Sequence, residues 1–316
     1  GASTAGTGGG VSIRGARSSS TWIYIDGMKV RGSTALPKSA IEEVQVVTGG
    51  IPANIGDATG GTINISLRNS SRTWFGGGEI ISSGLPTDES AIGLDKFGYN
   101  LAEGVASGPI LFRKNAEGEK TDPLLGLFIA GNVTYQKDPR PTFDGVYRIQ
   151  DSTRQALIDN PLRLNMSSTG EVNGALYNTD FLTSNDFYRV DTRLNSANQS
   201  ANIVAKLDVN TNETTSLTFG GVASGGRYNA FSYANSLMNW ENNNLVTNFD
   251  WRAYAKFSQR FVNEEDDSSS SLKNVFYQIM VDYSQTYSKT QDANHQDNFF
   301  RYGHVGTFGI YSRNSY

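Results

Sequence analysis

Hydrophobic and polar residues alternate along most of the chain after residue 73. Runs with an apolar residue at every second position lie at 125–135, 203–209, 217–219, 251–257 and 275–287. Because side chains on a β-strand point to opposite faces in turn, each run predicts a strand with one apolar and one mostly polar face. Several runs continue for roughly 9 to 13 residues, which is longer than the usual globular strand and enough for a tilted strand to cross a bilayer.

The connections between the predicted strands alternate in length. Strands are predicted at 74–84, 97–108, 124–136, 201–209, 215–224, 249–262 and 273–288, with 299–312 as an eighth candidate. Long connections at 137–200 and 225–248 predict external loops, and the shorter links predict periplasmic turns, as in outer-membrane barrels. Aromatic residues near the strand ends are typical of interfacial girdles. A soluble β-sandwich also alternates and is the alternative at this point.

Three residues break the predicted alternation. Glu103 falls on the face predicted to meet lipid, whereas Phe128 and Met280 fall on the face predicted to line the lumen. A bulge, or a position at the membrane interface, would accommodate the charge of Glu103.

The first 72 residues have a different pattern, which predicts a small mixed α/β unit. Short β-like runs at 21–25 and 44–47 are separated by Gly, Ser and Pro, and a helical turn is predicted at 37–43. Asp26-Gly27 predicts a tight turn, because glycine adopts positive φ without strain. Gly60-Gly61 predicts a close approach of two backbones where a strand begins.

Four pieces of this unit occur in a characteristic order. They are Ser12-Ile13-Arg14-Gly15, Tyr24-Ile25-Asp26-Gly27, the segment IEEVQVVTGGIPA at 41–53 and the segment GDATGGTINI at 56–65. Together they resemble the plug domain of TonB-dependent outer-membrane receptors, particularly those of Bacteroidetes-type bacteria. The resemblance implies a mixed α/β plug domain at 1–72, followed at 73–316 by the N-terminal strands of a large, antiparallel transmembrane β-barrel.

The resemblance also implies a function and partners. Such receptors lie in the outer membrane of Gram-negative bacteria and import a scarce substrate through the plugged barrel, using TonB as the periplasmic energy-coupling partner. Membrane lipid is an expected partner, and a surface lipoprotein is a further one. Long loops often carry binding residues. The candidate external ligand contacts are Phe143, Tyr147, Phe187 and Tyr188.

Plug residues of the family contact the barrel wall, and plug arginines there pair with wall glutamates. The corresponding residues expected to anchor the plug are Arg14, Gly15, Asp26, Gly27, Gly60 and Gly61. Many relatives carry a second arginine just before the proline that is Pro52 here, and this chain has Thr48-Gly49-Gly50-Ile51 at that place. Ile55 stands where an aromatic residue is common.

Composition excludes several kinds of chemistry. With no Cys among its 316 residues, the chain has no thiol nucleophile, disulfide or zinc-thiolate site. The net charge of −4 and the lack of a basic run argue against a nucleic-acid partner. The two histidines, His295 and His304, are too few for a metal site, and no nucleophile motif occurs. We therefore expect no enzyme, no cofactor and no metal.

A large plugged barrel has about 22 strands, and the pattern predicts seven or eight. The chain is therefore expected to be part of a longer receptor, because a small barrel has no room for a plug. A receptor-like barrel that serves surface adhesion or assembly, or a partial chain held by a secretion or barrel-assembly machine, is the alternative function. A secreted β-sandwich adhesin is a weaker one. The substrate class (iron chelate, glycan or peptide) stays open.

Overall fold

A computed structural model describes residues 2–4, 11–13, 20–30, 35–50, 55, 60–114, 118–212, 214–261, 275–292 and 294–298. The strands in these ranges are β1 (Ala2–Thr4), β2 (Val11–Ile13), β3 (Thr21–Ile25), β4 (Met28–Val30), β5 (Ile41–Val47), β6 (Gly61–Leu67), β7 (Phe75–Ser82), β8 (Gly84–Pro86), β9 (Ala91–Gly93), β10 (Tyr99–Lys114), β11 (Lys120–Gln136), β12 (Val146–Ile149), β13 (Leu162–Met166), β14 (Val172–Tyr177), β15 (Phe187–Val190), β16 (Asn198–Asn210), β17 (Thr215–Ala230), β18 (Asn244–Arg260) and β19 (Phe276–Gln291). The helices are α1 (Asp151–Asp159) and α2 (Tyr233–Ser236), with single 3-10 turns at Lys38–Ala40, Asn178–Phe181, Ser184–Asp186 and Trp240–Asn242.

The N-terminal unit is a four-stranded mixed sheet with the order β4-β3-β6-β5, in which β3 and β6 run parallel. Asp26 and Gly27 form the predicted turn between β3 and β4, with φ of 50° and 92°. Gly61 has a φ of 137°, and a Cβ there would lie 2.8 Å from the carbonyl oxygen of Val47. The close approach predicted at this glycine is therefore present, and a side chain would not fit.

The helical turn predicted at 37–43 is wrong for its second half. Only Lys38–Ala40 forms a 3-10 turn, and β5 begins at Ile41. The reason is tertiary pairing, because residues 41–47 add to the sheet alongside β6. Their β-branched residues also suit an extended strand better than a helix.

The second sheet has seven strands in the order β19-β18-β17-β16-β11-β10-β7, and every neighbouring pair is antiparallel. The seven predicted strands are confirmed, and most are longer than the alternation indicated. For example, β17 continues to Ala230, because backbone pairing with β16 and β18 extends past the residues that alternate. The eighth predicted strand, 299–312, lies outside the described residues.

The connections between consecutive strands lie alternately at the two ends of this sheet, as predicted. The links at 83–98, 137–197 and 231–243 lie at one end, called the loop end. The links at 115–119, 211–214 and 261–275 lie at the other end, called the turn end. The loop-end links are the longer ones on the whole, although 261–275 at the turn end is longer than 231–243.

The two faces of the large sheet differ in chemistry. Along β16 the odd-numbered residues from Ala201 to Leu207 are partly or fully exposed, whereas the even-numbered residues 202–208 are buried. On the exposed face, called the outer face, Ile203 on β16 shares its side with Val133 and Phe249 on other strands, and all are well exposed. The buried face, called the inner face, carries the polar residues of β16 and receives the N-terminal sheet.

Aromatic rings on the outer face form two bands. At the turn end Tyr277 contacts Phe257 and Phe261, with ring centroids about 6 Å apart. Tyr135 of β11 faces outward at the loop end, and Tyr287 lies at that end of β19 on the same face, ten residues beyond Tyr277. This spacing is about 34 Å along the strand, or about 24 Å along the membrane normal at a tilt of about 45°, which matches the apolar band of an outer-membrane barrel. None of the described helices has the length and apolar character needed to cross a bilayer.

The three exceptions to the alternation all lie on the inner face. Glu103 pairs with Asn132 of β11 and contacts the N-terminal sheet, so its prediction as a lipid-facing residue is wrong. Glu103 was assigned to the wrong face because Gly and Ala occupy the outward positions of β10. Such small residues produce no alternation of apolar and polar side chains from which the outward face could be identified. Phe128 is fully buried, and Met280 packs against the same core. These two apolar side chains are tolerated on the inner face because the N-terminal sheet covers them.

The connection at 137–197 is a folded unit and packs with 231–243. It contains helix α1 and two small sheets, β12–β15 and β13–β14. Its core is formed by Ile149, Val190, Leu194 and Trp240, with partly buried neighbours around them. We call this structure the loop-end unit.

Candidate functional site: the contact between the small sheet and the wall

The inner face of the large sheet, called the wall, meets the N-terminal sheet at a buried carboxylate. Asp26 lies in the β3–β4 turn, and its side chain is 7% exposed. Its Oδ2 atom lies 2.9 Å from Nζ of Lys206 on β16. The same oxygen accepts a hydrogen bond of 2.7 Å from the hydroxyl of Tyr254 on β18. The wall strands β16 and β18, which are not neighbours in the sheet, thus both bind the same residue of the small sheet.

The same carboxylate also organises the small sheet. The backbone N–H of Leu67 donates to Oδ1 of Asp26 over 2.9 Å. Lys206 in turn donates to Oδ1 of Asn69 at 2.8 Å and to the carbonyl oxygen of Leu67 at 3.3 Å. Because both ions are buried and their hydrogen bonds are directed, removal of either partner would leave a costly unpaired charge.

The segment that leaves the small sheet is attached to the wall at further points. The backbone N–H of Ser70 donates to Asp208 on β16 at 2.9 Å, and that of Ser71 donates to the hydroxyl of Ser107 on β10 at 2.9 Å. At Gly126 a Cβ would lie 2.2 Å from Oγ of Ser70, so the segment rests directly on the backbone of β11. These contacts fix the segment on three wall strands.

A second wall carboxylate holds the 3-10 turn of the small sheet. Glu103 accepts hydrogen bonds from the backbone N–H of Ser39 at 2.6 Å and of Lys38 at 3.2 Å. It also accepts one from the side-chain amide of Asn132 at 3.2 Å. A carboxylate at free backbone N–H groups forms charge-assisted hydrogen bonds, which are stronger than neutral ones.

The buried ion pair is a different one from the arginine–glutamate pairing that the resemblance implied for Arg14. The acid is on the small sheet, at Asp26, and the cation is on the wall, at Lys206. Gly27 lies in the same turn, with its α-carbon near Met280 of the wall. The N–H of Gly60 donates to the carbonyl oxygen of Ser20 within the small sheet. Arg14 and Gly15 lie outside the described residues.

Sequence reasoning named Asp26 only for its turn and did not find Lys206 or Tyr254. Both wall residues occupy even positions on strands whose odd positions are apolar, which marks them as inward-facing. A lysine at an inward position near the middle of a strand was therefore a signal for a buried partner.

The ring of Tyr254 lies across the neighbouring strand β17, where Gly220 leaves room for it. A Cβ at Gly220 would lie 2.4 Å from the ring. We expect Gly220→Ala to push the phenol away from Asp26 and to destabilise the contact by about 1–3 kcal/mol. Gly104→Ala is the matched control, since its Cβ would only come within 3.9 Å of a backbone oxygen. Protease resistance of residues 20–71 in the folded protein measures the effect, and equal resistance of the two variants would contradict it.

The four candidate ligand contacts lie in the loop-end unit but in two environments. Phe143 is 95% exposed and Tyr147 is 59% exposed. Phe187 and Tyr188 instead pack against the core of the unit. The structure thus leaves two aromatic side chains open to solvent and uses two in packing.

Tyr188 belongs to a junction of three loop-end connections. Its hydroxyl donates to Oε1 of Glu89 at 2.6 Å, and the same oxygen lies 2.8 Å from Nη1 of Arg148. The guanidinium of Arg148 also stacks on Trp240, at 4.5 Å from the ring centroid, and pairs with Asp151. The connections at 83–98, 137–197 and 231–243 are thereby joined.

Burial, together with the hydrogen bond to Glu89, raises the pKa of Tyr188 to about 12. Since this lies above the ordinary tyrosine pKa of about 10, the neutral phenol stabilises the loop-end unit. That contribution is complete below about pH 10 and is lost as the pH rises through 12. We expect a phenolate absorbance step near pH 12 that is absent from Tyr188→Phe. If Tyr188→Phe instead loses part of the absorbance step near pH 10, where exposed tyrosines ionise, the buried hydrogen bond is contradicted.

Within the described ranges, no three His, Cys, Asp or Glu side chains are grouped so that they could hold a metal ion. The contact between the two sheets consists of an ion pair and directed hydrogen bonds, and its chemistry is that of attachment. A small mixed sheet seated on the polar face of an antiparallel sheet with an apolar outer face defines a plugged, transmembrane β-barrel. Here the barrel is unclosed, with β7 and β19 at the edges.

Comparison with known proteins agrees with this class. Residues 1–62 match the family model described as "TonB-dependent Receptor Plug Domain". This match supports a TonB-dependent receptor, and it identifies the N-terminal sheet as the plug. No curated protein matches the sequence.

Solved structures with some similarity are also receptors and transporters. The siderophore receptor PirA from Acinetobacter baumannii is 13% identical, with 87% of this chain and 37% of that chain covered, at a TM-score of 0.43. A mutant of the ferric enterobactin receptor PfeA from Pseudomonas aeruginosa is 15% identical, with coverage of 89% and 40% and a TM-score of 0.42. The outer membrane transporter YddB from Escherichia coli is 10% identical, with coverage of 89% and 38% and a TM-score of 0.37. The chain thus spans about two fifths of the length of each of these proteins.

Proposed function

We propose that this chain contains the plug and first wall strands of a TonB-dependent transporter that imports a scarce substrate across the outer membrane. The observation that carries the proposal is the plug seated on the polar inner face through the buried Asp26–Lys206 pair. The same contact has an apolar part, in which Ile25 and Met28 of the plug pack with Phe128 of the wall, and in this proposal a partner that pulls on the plug breaks both parts. TonB is the proposed source of that pull.

In this proposal the loop-end unit lies outside the cell and the turn end faces the periplasm. The exposed side chains of Phe143 and Tyr147 are the first places at which to seek substrate contacts, followed by Phe187 and Tyr188. A surface lipoprotein that assists capture is a further proposed partner. The bacterial group, within the Gram-negative bacteria, is proposed to be Bacteroidetes on the resemblance of the plug motifs alone.

The test compares three strains of the source bacterium: the parent, a strain without this receptor and a strain without TonB. Each is assayed for uptake of ferric chelates, oligosaccharides and peptides. We expect one substrate class to be lost in both deletion strains and restored when the full-length receptor is returned. If the receptor deletion changes no uptake, or changes it independently of TonB, the protein has a different role, such as adhesion or assembly.

A further inference from the structure

The outer face of the wall carries an apolar groove close to its loop end. Its volume is about 810 Å³, and it continues toward the middle of the sheet into a second depression of about 550 Å³. The groove exists because small residues form its floor while larger apolar side chains stand beside them. The floor residues are Ala102, Gly104, Gly131, Ala201, Ala223 and Gly225.

The register of the strands shows that these residues lie together on the outward side. Ala102 pairs with Val133, Val133 with Ala201, and Ala201 with Gly225 across four adjacent strands. Phe249 pairs with Gly225 and closes one side of the groove. Val133 and Phe249 are 55% and 44% exposed, so no other part of the described chain covers them.

A cationic side chain stands at the loop-end rim of the groove. Arg227 lines the groove and is exposed. Through Gln199 it shares a register row with Tyr135, which belongs to the loop-end aromatic band. Such bands mark the level of the lipid head groups. Within the described residues Arg227 makes no ion pair or hydrogen bond, so its charge is free to meet an anion from outside the protein.

We propose that the groove is a specific site for one phosphate-bearing lipid of the outer leaflet. An acyl chain lies along the floor of small residues, and the guanidinium of Arg227 binds the phosphate, which is the anion that its planar donors match best. The amide of Gln199, in the adjacent position, adds a neutral donor at the same level. The proposal rests on the membrane location in the proposed function, because only there is the outer face in contact with lipid.

The test uses full-length receptor that has been stripped of lipid in detergent. Phosphatidylglycerol and diacylglycerol with the same chains, which lacks the phosphate, are titrated separately, and bound lipid is counted by native mass spectrometry. We expect one phosphatidylglycerol to bind about tenfold more tightly than diacylglycerol, as one charge-assisted contact would provide.

Two variants separate the parts of the site. Ala201→Leu fills the floor and is expected to weaken both lipids about tenfold. Arg227→Gln is expected to remove the preference for phosphatidylglycerol and to leave diacylglycerol binding unchanged. The controls are Val281→Leu, which enlarges an outward residue on β19, and Arg189→Gln, which removes an exposed arginine of the loop-end unit. Neither control is expected to change binding.

Equal binding of the two lipids by the parent, or unchanged binding in Ala201→Leu, would overturn the proposal. Heat-modifiable migration of each variant in an electrophoresis gel reports whether the barrel is folded. A folded barrel without lipid preference refutes only the lipid site. A protein that shows no heat-modifiable form and needs no detergent refutes the membrane location on which the proposed function also depends.

Discussion

Replacing Lys206 with methionine is expected to weaken the attachment of the plug by about 3–5 kcal/mol. Lys206 is 1% exposed and is the cation nearest to the buried carboxylate of Asp26, at 2.9 Å. Methionine fills a similar volume but leaves that carboxylate buried without a counter-charge. The plug then either separates from the wall or admits water to the site.

Hydrogen exchange of the backbone amides of residues 20–30 and 61–71, in the full-length receptor, measures this effect. The N–H of Leu67, which donates to Asp26, is the most direct reporter. Lys256→Met is the matched control, because Lys256 lines the same cavity and has no ion pair to the plug among the described residues. Exchange as slow in Lys206→Met as in this control would contradict the account.

The double variant Asp26→Asn with Lys206→Met distinguishes charge from shape. With no ion left to bury, much of the lost stability is expected to return, since a buried pair contributes little net stability while one unpaired charge is expensive. If the double variant is as unstable as the sum of the two single ones, the pair is not coupled in the way that the geometry indicates.

Replacing Arg193 with methionine is expected to destabilise the loop-end unit by about 3–5 kcal/mol. Asp138 is completely buried and accepts hydrogen bonds from Nε of Arg193 at 2.9 Å and from its backbone N–H at 2.8 Å. The guanidinium also lies 4.7 Å from the ring centroid of Phe231. The ion pair thus joins the two ends of the 137–197 connection, and its guanidinium also contacts the 231–243 connection.

Proteolysis of intact cells reports on this unit from outside. Arg193→Met is expected to be cut within 137–197 while the barrel keeps its heat-modifiable migration. The matched control is Arg189→Met, since Arg189 is exposed and lies 4.0 Å from Asp144, which is more exposed still. Cleavage at the same rate in both variants would show that the buried pair does not hold the unit together.

The alternation of apolar residues was sufficient to predict the seven strands, because a strand between lipid and a polar interior must alternate along its length. It failed at β10, where Ala102, Gly104 and Ala106 face outward and have too little side chain to mark a face. The inward position of Glu103 was therefore misread. The prediction recovered neither the length of β17 nor that of β18, because both continue through residues that only backbone pairing identifies as strand.

The residues that attach the plug to the wall could not be predicted from the local sequence pattern. Asp26 and Lys206 are 180 positions apart in sequence, and turn chemistry alone explained the Asp26-Gly27 dipeptide without any need for a partner. The loop-end unit was predicted as a loop because its strands have four to six residues each and its core, around Trp240, combines two separate connections. Such a core becomes visible only when the connections are brought together in space.

The central claim is that the wall has one face toward lipid and the other toward the plug, and β16 tests it most directly. Since the chain has no cysteine, single cysteines at 201–209 can each carry a spin label in the full-length receptor in lipid bilayers. The account predicts that labels at odd positions collide readily with oxygen dissolved in the membrane. With Lys206 left in place, labels at 202, 204 and 208 are predicted to be immobile and reached by neither oxygen nor a water-soluble nickel chelate. Accessibility without a two-residue period, or odd positions open to the nickel chelate, would contradict it.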